Sequence, residues 1–167
     1  MTSFDVAFEW MLPHEDSIPS GKVTNEPSGG VAKFGINSKA YPNVDVPNLT
    51  LDEAKIIYER DFWKKFLLDQ LVSQQLASKV FDMLVNLEHI GVQILQRCLS
   101  LAPDGFIGPK TIAAANRMPA GPLVKNLCMY QALHYKTEAA LGAAKGYNYP
   151  IEGLLGRAAC VPPPDPA

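Results

Sequence analysis

The chain has 167 residues, about one domain at roughly 150 residues each. A net charge of −2 and a charged fraction of 19% exclude a strongly basic nucleic-acid binder and a wholly disordered acidic chain. Its 47% hydrophobic content suffices for a packed core without disulfides or metal, and no apolar run approaches the roughly 20 residues of a membrane span.

Cys98, Cys128 and Cys160 are widely spaced and carry no CxxC or CxxH pattern. They are expected as reduced, partly buried thiols, which suits synthesis in the cytoplasm. The opening MTSFDVAFEW lacks the basic and then apolar regions of a classical signal peptide.

In chain order, Phe4, Ala7, Phe8 and Met11 form one apolar stripe and predict a helix over 3–12. Thr2 or Ser3 caps it, and Pro13 ends it. Residues 13–48 are rich in Gly, Pro, Ser and Asn, with Val23, Val31, Phe34 and Ile36 around Ser28-Gly29-Gly30. That pattern predicts a small irregular β-hairpin lobe, with all β structure inside about 18–40. No proline falls between Thr50 and Ala102, and Gly91 is the single glycine there. This block is therefore expected to be helices and short turns throughout. Thr50-Leu51-Asp52-Glu53 reads as a capping box for a helix running through Phe62. Further helices are expected over 64–71, 74–88 and 89–101. The helix over 74–88 has Leu76, Val80, Leu84 and Leu87 in its stripe. Asp104–Pro109 reads as a structural turn, with Pro109 opening a helix over 109–116; the alternative for Asp104–Thr111 is a sugar-binding role. Helices over 121–142 and 150–160 follow. Pro162, Pro163, Pro164 and Pro166 predict an extended appendage. The fold class is mainly α: a helical domain with a small β-hairpin lobe between the first two helices.

Glu15 follows Pro13 at the C-terminal end of the first helix. The negative end of the helix dipole disfavours a carboxylate. Desolvation by Trp10 and Met11 would add to this and raise its pKa. A carboxyl kept protonated near neutral pH is the general acid that glycosidic cleavage needs. The alternative is that Glu15 and Asp16 are solvated turn residues. His14-Glu15-Asp16 lacks a second histidine at ligand spacing, so no metal is expected. Gly29-Gly30 is not followed by the Lys-Ser/Thr of a phosphate loop, and no G-x-S-x-G elbow is present.

The order of motifs says more than any one of them. Glu15 after a helix is followed by Gly29-Gly30-Val31-Ala32-Lys33-Phe34-Gly35-Ile36. Next come Leu49–Tyr58 and Asp61-Phe62-Trp63, then Phe81-Asp82, Val85-Asn86 and Leu95-Gln96. The series ends in Asp104-Gly105-Phe106-Ile107-Gly108-Pro109-Lys110-Thr111, with Gly153-Leu154 and Arg157 near the close. This ordered set resembles the N-acetylmuramidases of glycosyl hydrolase family 108, the phage-endolysin and secretion-activator type. The Asp104–Thr111 run is similar to the signature of their peptidoglycan-binding region. Asp16 and Ser17 stand where that family has Gly-Gly, Ala32 where it has Thr, Phe34 where it has Tyr, and Leu154 where it has Trp.

The resemblance implies cleavage of the β-1,4 bond between N-acetylmuramic acid and N-acetylglucosamine in peptidoglycan, without a cofactor. It places the family's acid at Glu15. Glu26, or a polar group such as Thr24, would assist the attacking water. Lys33, Phe34, Tyr58 and Asn86 match cleft positions. For Tyr58 the alternative is a core aromatic, and for Asn86 a helix-packing hydrogen bond. It further implies a catalytic region over 1–102, a peptidoglycan-binding-like helical region over 103–160 packed on it, and a Pro-rich tail over 161–167. The partner is peptidoglycan glycan, with no nucleic acid and no membrane span. The protein would be cytoplasmic at synthesis and reach the wall through a holin or another export route. Two rivals stand beside this reading: a non-hydrolytic peptidoglycan binder on the same fold, which Ala32 favours, and a helical interaction protein with a Pro-rich tail.

Overall fold

The structure, a computed structural model, describes residues 2–15, 21–26, 29–147 and 150–166. The first apolar stripe builds helix α1 (Phe4–Glu15), which buries Ala7, Phe8, Met11 and Leu12. The Ser3 hydroxyl caps it by accepting from the Val6 N–H at 3.5 Å. Pro13 does not end this helix but lies inside its last turn. A proline so close to the end deprives only the Glu9 carbonyl of its donor. Glu9 is exposed, so water can replace that bond.

The β lobe is as small as expected and falls inside the expected range. Strands β1 (Thr24–Asn25), β2 (Val31–Lys33) and β3 (Ile36–Asn37) form an antiparallel sheet in sequence order. Thr24 lies opposite Ala32, and Lys33 opposite Ile36. The first hairpin turns at the predicted glycines, although Pro27 and Ser28 lie outside the described residues. The second turn, Phe34-Gly35, is not foreseen by the hydrophobic pattern. Both residues have positive φ, +52° and +76°, as a two-residue mirror-image turn requires. A phenylalanine there is strained, and the buried Tyr58 hydroxyl secures it by donating to the Phe34 carbonyl at 3.0 Å.

Helix α2 (Leu51–Tyr58) begins at the predicted capping box. Thr50 Oγ1 accepts from the Glu53 N–H at 3.3 Å, and the Glu53 carboxylate accepts from the Thr50 N–H at 2.8 Å. The Thr50 N–H and then its hydroxyl hold the Glu53 carboxyl below the ordinary carboxylate range. A depressed folded-state pKa contributes stability at neutral pH that is lost as pH falls through the acid range. Thr50→Ala should cost about 1 kcal/mol and lower Tm by roughly 2–4 °C at neutral pH. The deficit should shrink in a thermal scan at low pH, because the protonated wild type has lost the same bond.

A separate helix over 64–71 does not form. The chain widens into a π-helical stretch, Glu59–Lys64, and closes through left-handed Leu67 into a 3-10 turn, Leu68–Gln70. Trp63 in that stretch is buried and packs edge-on against Phe4 and Phe81, with ring centres 5.9 and 5.8 Å away. These contacts tie α1 and α2 to α3 (Gln74–Leu87), and Tyr58 joins them through Phe8 and Phe81. Helices α4 (His89–Cys98), α5 (Pro109–Arg117), α6 (Ala120–Ala144) and α7 (Ile151–Ala159) follow close to their predicted positions. Residues 50–102 contain only helices and turns, as expected. Among the described residues no helix is long and apolar enough to cross a membrane. The three cysteines are free and half-buried, and burial pushes the Cys98 thiol up to about 11.

α3 is the central helix, and its polar residues are buried too. Gln75, Lys79 and Asp82, with Asn86 beyond them, lie along one line of the helix. The first three are bound by the C-terminal segment. Gln75 donates through Nε2 to the Pro162 carbonyl at 3.0 Å and through its N–H to the Asp165 carboxylate at 3.0 Å. Lys79, fully buried, donates to the carbonyls of Ala158 and Cys160 at 3.2 and 3.0 Å, which caps the negative end of α7. The proline tail is therefore extended but not an appendage. Pro162 is buried, and its carbonyl accepts from the Gln75 side chain of α3.

Candidate active site

Glu15 is the last residue of α1, where the end of the helix brings it beside the strained Phe34-Gly35 turn. Its side chain is 19% exposed. Oε1 accepts from Arg157 Nη1 at 2.5 Å. Oε2 faces Gly35, where an added Cβ would lie 3.2 Å from it and would collide with the Tyr58 hydroxyl. Gly35 is thus required by its positive φ and by the carboxyl pressed against it. Gly35→Ala should cost more than about 1 kcal/mol of stability and displace the carboxyl. Chemical denaturation reads the first, and the rate of wall hydrolysis reads the second.

Arg157 reaches this site from α7. Its guanidinium is 8% exposed, and it holds the fully buried Asp82 through Nε at 3.0 Å and Nη2 at 2.9 Å. Nη2 also donates to the Asp82 carbonyl at 3.2 Å. His14 Nδ1 lies 2.9 Å from the same Asp82 oxygen, Oδ1, while Trp10 packs edge-on against the His14 ring at 4.9 Å. Among the described residues Asp82 Oδ2 is buried without a hydrogen-bond partner. Burial works against the Arg157 charge, but Asp82 and then Glu15 outweigh it, so its pKa lies above the ordinary value. Burial, followed by the Glu15 charge, raises the Tyr58 phenol, which stays a neutral donor.

Next to Gly35 a cleft of about 690 Å³ opens between the β lobe and the helical body. Tyr41, Asp61, Phe62 and Lys65 line one side, and Val85, Glu88, His89 and Phe106 another. The Tyr41 hydroxyl donates to Asp61 Oδ2 at 3.1 Å. Burial, and then the Asp61 charge, push the Tyr41 phenol up to about 12.

Of the residues singled out from sequence, Glu15, Phe34 and Tyr58 meet around Gly35. Thr24, Glu26 and Lys33 have local partners in the β lobe. The Thr24 hydroxyl donates to the Ala32 carbonyl at 3.4 Å, the Glu26 N–H to the Gly30 carbonyl at 3.1 Å, and Lys33 Nζ to the Pro47 carbonyl at 3.2 Å. Asn86 accepts from the Tyr135 hydroxyl at 2.5 Å, joining α3 to α6. The desolvating partners expected for Glu15 were Trp10 and Met11. The partner found in contact is Arg157, 142 residues away in sequence. Tyr41, Asp61 and Glu88 were missed as cleft residues. No spacing rule links them, because they come from a loop, a π-helical stretch and a helix junction.

A carboxyl at a helix end, largely shielded and beside a cleft under a small β lobe, is the equipment of an acid-catalysed glycoside hydrolase. Residues 9–87 match the family model of Glycosyl hydrolase 108, and residues 90–147 match that of a Predicted Peptidoglycan domain. The solved structure of Brucella abortus SagA has the same fold, with a TM-score of 0.66, 24% identity, and coverage of 92% of this chain and 94% of that one. No curated protein matches the chain. The first half of the chain thus matches glycosyl hydrolase family 108, and a match to a peptidoglycan domain follows it. The two matches together support a peptidoglycan hydrolase of the glycoside hydrolase class.

Proposed function

We propose that the protein is an N-acetylmuramidase that hydrolyses the β-1,4 bond between N-acetylmuramic acid and N-acetylglucosamine, with Glu15 as general acid. The observation that carries this reading is the division of the Glu15 carboxyl. Oε1 is fixed by Arg157, while Oε2 lies beside Gly35, one of the residues that line the cleft. A protonated Oε2 donates to the leaving glycosidic oxygen. The carboxylate formed as the proton departs is already paired with the guanidinium, so the charge that develops in the transition state meets a preorganised partner. Tyr58 keeps the turn in place and stays protonated. Glu26, or the Thr24 hydroxyl, assists water on the opposite face of the sugar. The protein reaches its substrate from the cytoplasm through a holin or a comparable route.

Turbidity loss on purified peptidoglycan, followed by mass analysis of the released ends, tests this. N-acetylmuramic acid at the new reducing ends is expected, and N-acetylglucosamine there would overturn the bond assignment. The second reading, a peptidoglycan binder without hydrolysis, is favoured by Ala32. It is buried in β2 and offers no hydroxyl to orient water. Retention on peptidoglycan with no released ends would establish it.

A further inference from the structure

The turn that opens α5 is rigidly built, yet it exposes an aromatic ring. Gln96, 2% exposed, holds it from within. Gln96 Nε2 donates to Asp104 Oδ1 at 2.6 Å and to the Phe106 carbonyl at 2.9 Å, and Oε1 accepts from the Gly105 N–H at 2.9 Å. Asp104 Oδ1 also accepts from the Phe106 N–H at 2.9 Å. Gly105 takes φ +80°, which a side chain would resist. This network fixes the direction of Phe106, and that direction is outward: the residue is 78% exposed. A turn serving the fold alone has no need to fix an apolar ring in water.

Phe106 lines the same cleft as Gly35, the residue against which the Glu15 carboxyl lies. Phe62 is a second aromatic wall residue, and the acceptors Asp61 and Glu88 stand with it. Tyr41 and Arg60 fix the Asp61 carboxylate. Aromatic faces bordered by carboxylate acceptors suit a pyranose ring, which has apolar C–H faces and a rim of hydroxyl and acetamide donors. We propose that Phe106 and this cleft form a subsite for an N-acetylhexosamine ring of the glycan strand. The peptidoglycan domain then supplies one wall of the catalytic cleft and is not a separate anchor. This rests on reading the Glu15 site as acting on a glycan strand.

The test is calorimetric titration of the full chain, Phe106→Ala and Phe106→Trp with chitohexaose, beside peptidoglycan kinetics. Phe106→Ala should weaken binding about tenfold without a change in Tm, and Phe106→Trp should restore it. In hydrolysis KM should rise while kcat stays within about twofold, the mark of lost ground-state and transition-state binding alike. Unchanged affinity in Phe106→Ala, or no binding by the wild type, overturns the subsite. If hydrolysis proceeds and KM ignores Phe106, the subsite fails and the hydrolase stands. If chitohexaose binding depends on Phe106 but no peptidoglycan is cut, the subsite stands and the hydrolase reading fails.

Discussion

Glu15→Gln is expected to lower peptidoglycan hydrolysis at least a hundredfold, since general acid catalysis contributes about 10²–10⁴-fold. The substitution keeps shape and leaves an amide oxygen to accept from Arg157, but it removes the transferable proton. Arg157 retains Asp82, so the folded chain keeps its buried pair, and Tm should shift little. Release of reducing ends from purified peptidoglycan, measured beside a thermal scan, separates the two effects. Near-normal hydrolysis would remove Glu15 from the role and move the test to Glu26.

Asp82→Ala should be the most destabilising single change in this network. A buried ion pair is weak evidence for net stability, because desolvation offsets attraction, but deleting one partner strands the other and costs about 3–5 kcal/mol. Here Arg157 would keep Glu15 and the backbone carbonyl at position 82 but lose the carboxylate, and His14 would lose its contact with it. At roughly 2–4 °C per kcal/mol for a chain of this size, the loss is about 6–20 °C in Tm. Asp82→Asn should lose less, because it retains an acceptor oxygen for the guanidinium. A thermal scan of Asp82→Ala within the error of wild type would show that the network does not hold α7 to α3. Hydrolysis should fall as well, since Arg157 loses the carboxylate that aims it at Glu15.

The two variants probe opposite ends of one chain of contacts, and only one end was legible from sequence. Glu15 stood out because an apolar stripe with a nearby proline located the end of a helix, which is local information. Asp82 and Lys79 sit on a helix whose apolar stripe by itself does not show that its polar line is buried as well. They are fully buried because α3 is covered on every side, the last side by α7 and the tail. The partner of Asp82 lies 75 residues away, and no periodicity rule reaches that far. Pro13 and the 64–71 segment departed from expectation for related reasons. An exposed helix end can hydrate an orphan carbonyl, and packing of Trp63 against Phe4 and Phe81 outweighed a regular helix.

What the sequence determined by itself is what short-range physics controls. The prolines limited where helices run, the Thr50–Glu53 box started α2, the glycines marked the first hairpin, and the ordered motifs pointed to the family. What only the tertiary structure decided is the environment of those residues. It set Arg157 on Glu15, Tyr58 under a strained Phe34 turn, the tail along α3, and Phe106 on the wall of the cleft. Each of these depends on chain segments distant in sequence meeting in space. Their energies come from burial and pairing that exist only once the core has closed.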